Sequence, residues 1–138
     1  MSADPVVRLH IQKALNIHVQ WERGGLPLEW TVTAIYYESL HWLNATIIAL
    51  YVANDRGRPD MNLHRKLRDA MDDLGDKEFP RSVRRNYFKL EALSRQARYS
   101  VQPHEALTNA DVERALKWFT ELQKWAQALL TADGYTCT

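Results

Sequence analysis

The sequence predicts an all-α protein: an up-and-down bundle of four long helices plus one short helix, in one domain spanning residues 1–138. Three observations carry this. Residues 28–54 read LEWTVTAIYYESLHWLNATIIALYVAN, one long stretch that is apolar on nearly every side, and a helix with so little polar surface must be surrounded by other helices. Elsewhere the apolar residues recur at spacings of three and four, the period of an amphipathic helix. No segment shows the alternation of a strand, and no internal repeat or low-complexity tract is present.

In chain order, Asp4 and Pro5 form a cap and a first-turn proline. Val6, Leu9, Ile17 and Val19 to Trp21 then follow at mixed helical spacing up to Gly24 and Gly25. The short connection 24–27 predicts that the first and central helices run antiparallel. At ~1.5 Å per residue the central helix is roughly 40 Å long. Glu29, Glu38 and His41 make its first half too polar for a membrane span, where a mid-helix acid costs a few kcal/mol. Asn54, Asp55, Gly57 and Pro59 mark the loop that ends it.

A short helix from about residue 60 or 62 to residue 74 places Leu63, Leu67, Ala70, Met71 and Leu74 on one face, and Gly75 closes it. Pro80 opens a fourth helix running to residue 99 or 100, with Val83, Tyr87, Leu90, Leu93 and Ala97 as its core stripe. Thr108 and Asp111 form a capping box, with Asp where Glu or Gln is usual. The last helix, 109–130, repeats Ala115, Phe119, Leu122, Ala126 and Leu129. Trp118 and Trp125 widen its apolar stripe, either as core or as an isologous dimer seam. Residues 132–138 are expected to fray.

Charge is nearly balanced, 18 Lys and Arg against 17 Asp and Glu, so no global field announces nucleic acid or a membrane surface. The single cysteine, Cys137, excludes an intrachain disulfide and a cysteine-built zinc site. The N-terminal residues lack the charged, apolar and small-residue pattern of an export signal, which makes the cytoplasm the expected location. Glu38 and His41 form the only Glu-x-x-His pair, too few for a di-iron bundle. His10 and His18 lack a third ligand, so no metal or other cofactor is expected.

Local charge is more informative. Arg81, Arg84, Arg85, Arg95 and Arg98 fall within about 140° of one another on the fourth helix, at ~100° per residue. Glu91 is the only acid between Arg81 and Arg98. The stripe is either a solvated face or a surface for RNA or nucleotide phosphate, which the forked donors of Arg suit. Tyr37, Glu38 and His41 share a face of the central helix; Glu38 could fix the tautomer of His41 and raise its pKa, in a pocket facing the basic helix. The basic neighbours of His64, namely Arg58, Arg65, Lys66 and Arg68, would lower its pKa and suit an anion or a general base.

The string Ala34-Ile35-Tyr36-Tyr37-Glu38-Ser39-Leu40-His41 resembles the A-x-YY-A-A-x-H signature of one branch of the HEPN family. A His-bearing loop and short helix (Leu63-His64-Arg65), the ending Arg95-Gln96-Ala97-Arg98-Tyr99 and an acid-capped last helix agree with it in order. The resemblance implies a four- or five-helix bundle, a homodimer, and a small nucleotidyltransferase-type antitoxin as partner. It also implies RNA or nucleotide binding, with metal-independent ribonuclease activity in toxin–antitoxin and antiphage systems among the family's roles. In its catalytic members an Arg is followed by His after four to six residues, the His taking a proton from the RNA 2′-hydroxyl and the Arg steadying the phosphate. Two pairs here have that spacing, Arg58 with His64 and, as second choice, Arg98 with His104, although Pro59 and Tyr99 stand where the family has a polar residue. The competing expectation is a non-catalytic helical accessory module that binds a protein partner through exposed aromatics.

Overall fold

The computed structural model describes residues 4–56, 64–99 and 106–138, giving the backbone alone for residues 64 and 65. All secondary structure among them is helical: α1 (Pro5–Glu22), α2 (Leu28–Ala53), α3 (His64–Glu78), α4 (Arg81–Tyr99) and α5 (Asn109–Ala132). None of these helices is long and apolar enough to cross a membrane.

The helix ends follow local chemistry. Asp4 caps α1, its carboxylate accepting from the Val6 amide at 2.8 Å with Pro5 at the first position. Thr108 and Asp111 form both bonds of the capping box at the start of α5, which satisfies amides that the first turn leaves without helical partners. Gly75 has φ 73° and ψ 176°, a region essentially reserved for glycine. The sequence predicts that Gly75 closes the helix, but it only kinks it: a second helical turn follows and delivers Phe79 into the core, where its ring meets Trp125 edge-on at 5.0 Å.

The middle of the fold is α2, which packs against α1, α3, α4 and α5. Its buried residues include Val32, Ile35, Tyr36, Trp42, Leu43, Ile47 and Ile48, so its surface is covered by neighbours on several sides. Cross-helix pairs fix the directions: His10 with His41 and Trp21 with Glu38 make α1 antiparallel to α2. Asn86 with Glu121 and Lys89 with Trp118 make α5 antiparallel to α4.

Two further expectations are corrected. The inward face of α1 is Val7, Ile11 and Ala14, not the stripe through Leu9 and Val19, which are 51% and 50% exposed. The register is set by His18 and Trp21, which continue the Val7–Ile11–Ala14 row in steps of three and four and must reach Glu38 on α2. The C-terminal residues do not fray. Gly134, at φ 92°, lets the Tyr135 amide reach the Leu130 carbonyl and its own amide the Thr131 carbonyl, the Schellman arrangement. Tyr135 and Cys137 are buried, and the Tyr135 hydroxyl accepts from the Asp4 amide at 2.9 Å.

Trp118 and Trp125 are half-buried. Trp125 packs on Phe79, while the Lys89 ammonium lies 5.5 Å from the Trp118 ring centre. Intrachain packing therefore uses both rings.

Candidate functional site

The structure divides Tyr37, Glu38 and His41 between two neighbours of α2: Tyr37 meets Arg98 of α4, whereas Glu38 and His41 both face α1. Glu38 has no exposed surface. It accepts from the Trp21 indole at 2.6 Å and the Trp42 indole at 2.8 Å, and His18 Nδ1 lies 2.9 Å away. Burial pushes its carboxyl above the ordinary range, outweighing the opposing pull of the two indoles and His18. His18 also approaches Glu22 at 3.3 Å, linking the buried carboxylate to the surface of α1.

His41 faces α1 rather than the basic helix. Its Nδ1 stands 3.0 Å from Nδ1 of His10, a geometry in which one neutral ring donates and the other accepts. Its pKa is lowered to about 4, by burial first and then by repulsion from His10 and Lys13. This reverses the expected rise, because the neighbouring carboxylate is already committed to Trp21, Trp42 and His18. Burial, followed by Lys13, lowers His10 as well.

The arginine stripe meets acids that lie on another helix. Arg84 pairs with Asp72 and Arg81 with Asp76 of α3. Buried Glu91 takes Arg68 of α3 and, at 3.5 Å, Arg95. Much of the basic excess counted along α4 is thereby offset locally, while Arg85 stays exposed.

Arg98 is placed differently. Its Nη1 donates to the Tyr37 hydroxyl at 3.1 Å, its Nε to the Ser94 carbonyl at 3.3 Å, and its guanidinium carbon lies 5.3–5.8 Å from the ring centres of Tyr36, Tyr37 and Tyr99. Among the described residues, no carboxylate lies within ion-pair distance of it. The tyrosine seat is held from behind: the Tyr36 and Tyr87 hydroxyls are 3.1 Å apart and Tyr87 reaches Glu91 at 3.4 Å. Burial raises the Tyr36 phenol to about 12 and pushes Tyr87 up as well, so both remain neutral donors.

Beside Arg98 is an open groove of about 360 Å³ lined by Glu29, Trp30, Thr33, Ala97 and Arg98. Trp30 is 67% exposed and the neighbouring Tyr99 73%. A tryptophan so exposed beside an arginine without a carboxylate partner offers a flat stacking surface and an anion donor together.

Of the candidate catalytic residues, Arg58 and His104 lie outside the described residues. His64 is the first residue of α3, and its side chain also lies outside them. Sequence reasoning missed the Glu38 partners and the groove. The signal for the groove was Glu29-Trp30 in the first turn of α2 and Tyr99 at the end of α4, residues that no single-helix periodicity connects.

Comparison of the chain with family models, curated proteins and solved structures finds no match.

Proposed function

We propose that this chain is a HEPN-like domain that binds RNA or a nucleotide phosphate through the face formed by Arg98, Trp30 and Tyr99. The observation that carries the reading is the seating of Arg98: three tyrosine rings and one tyrosine hydroxyl hold its guanidinium at the edge of an open groove. Arg81, Arg84 and Arg95 contribute less than a single-helix count of charge suggests, because each already faces an acid; Arg85 adds exposed charge along the same helix.

The test is binding of single-stranded RNA at 50 and 200 mM salt. For two engaged phosphates, a slope of about −0.7 per phosphate gives roughly a sevenfold loss of affinity between those salts. Arg98→Ala should weaken binding and flatten the slope by about 0.7. Salt-independent affinity, or none at 50 mM, defeats the reading.

A second reading is favoured by the same exposed Trp30 and Tyr99, residue types that anchor protein interfaces. In that case the domain is an accessory module for a protein partner, and binding changes little with salt. Ribonuclease action would rest on His64 with Arg58, or on His104 with Arg98. It is tested by growth arrest on expression, with relief by His64→Ala or His104→Ala in a folded protein. The homodimer and the nucleotidyltransferase-type partner belong to this same proposal; a monomer mass by light scattering at micromolar concentration would remove the dimer.

A further inference from the structure

We infer that the groove between the start of α2 and the end of α4 is a guanine-nucleotide site, with Trp30 stacking the base, Glu29 reading its Watson–Crick edge and Arg98 holding the phosphate. The inference rests on the phosphate-binding reading above and names the ligand class of that same site.

The groove carries opposite charges, with Glu29 and Arg98 both in its lining and Trp30 and Thr33 completing it on α2. A phosphate alone would gain nothing from Glu29 and would be repelled by it. A ligand that uses both groups needs an anionic end, a flat body and a pair of N–H donors.

Guanine meets this description among the common bases. Its N1–H and N2 amino group lie side by side and match the two oxygens of a carboxylate, as forked donors do. Adenine turns the N1 lone pair toward Glu29 and offers only one amino group. Uracil offers one N–H between two carbonyl oxygens, and cytosine one amino group beside an acceptor nitrogen. Trp30 provides the π-face that any base can use, so it supplies affinity while Glu29 supplies choice. A volume of about 360 Å³ falls at the small end of ligand clefts, suited to one nucleotide rather than a strand.

The test is calorimetric titration of the full chain with GMP, AMP and guanosine at low salt. GMP should bind at least tenfold more tightly than AMP and more tightly than guanosine. Glu29→Gln should reduce GMP affinity about tenfold while AMP, relieved of the repulsion between its phosphate and Glu29, binds as well or better. Trp30→Ala should weaken both nucleotides, and Arg98→Ala should weaken GMP while leaving guanosine unaffected. Glu29 and Trp30 are exposed, so these two variants should fold, and circular dichroism checks all three. Equal binding of GMP and AMP, both lost in Arg98→Ala, overturns the guanine assignment and leaves the phosphate-binding reading standing. GMP preference that survives Glu29→Gln also overturns it. No binding of any nucleotide or of RNA removes both.

Discussion

Replacing Trp42 with Phe isolates one bond to the buried Glu38. Trp42 is fully buried and donates to Glu38 at 2.8 Å from one turn further along α2. Phe keeps most of the aromatic packing but removes the indole N–H. A hydrogen bond to a charged group contributes about 1.5–3 kcal/mol. The lost pyrrole portion, about 40 Å³ at roughly 24 cal/mol per Å³, adds about 1 kcal/mol. The variant should therefore lose about 2.5–4 kcal/mol near neutral pH, or about 10–15 °C in Tm at roughly 4 °C per kcal/mol.

The pH dependence of that loss separates the two contributions. Burial already raises the Glu38 carboxyl, and removing a donor raises it further. A raised folded-state pKa means that the folded chain holds the proton more tightly than the unfolded one, so stability falls as pH rises from the ordinary carboxyl value, about 4.3, through the raised one. The difference between variant and parent should be smallest near pH 4.5, where packing dominates, and widen toward pH 8. Urea denaturation followed by far-UV circular dichroism at several pH values measures it. A loss that is constant with pH would refute the carboxylate bond, and a loss below 1 kcal/mol would refute the packing argument as well.

Other perturbations probe separate features. Gly75→Ala places a β-carbon where nothing lies within 4 Å, so its cost is that of the backbone alone, about 1–3 kcal/mol, measured by urea denaturation; a neutral result would mean that α3 does not need its break. Among the described residues the buried Ser94 hydroxyl has no hydrogen-bond partner, and Ser94→Ala should raise stability by about 1 kcal/mol, seen as an increase in Tm. His41, with its pKa lowered to about 4, leaves the folded chain binding fewer protons than the unfolded chain between pH 6.5 and about 4. Stability from this residue is therefore full above 6.5 and lost as pH falls through that window. His41→Gln should flatten that part of the stability-versus-pH curve relative to the parent, and an unchanged curve would count against the burial that lowers His41.

What the sequence revealed depended on the distance over which each choice is made. The capping residues Asp4, Thr108 and Asp111 act within a few residues, and they stand where local reasoning put them. The all-round apolarity of residues 28–54 placed α2 among the other helices. The face of α1 was not legible, because it carries apolar residues on more than one side and the choice belongs to Glu38, reached by His18 and Trp21 across a turn. The arginine stripe was legible as a stripe but not as a charge: Asp72 and Asp76 belong to another helix, and only the packing of α3 beside α4 sets them against Arg84 and Arg81. The groove draws on the first turn of α2 and the last turn of α4, two ends that meet only in the folded chain.

The central position of α2 also determines how the molecule can open. A helix bordered by α1, α3, α4 and α5 cannot expose its amides by loosening any one neighbour. Backbone hydrogens around Trp42 to Ile48 should exchange with solvent only through global unfolding, whereas those of α1, with Leu9 and Val19 facing water, have a shallower route. Exchange rates along the chain would thus rise outward from α2, which makes it the last element to release its protons and the natural reference for the stability of the whole domain.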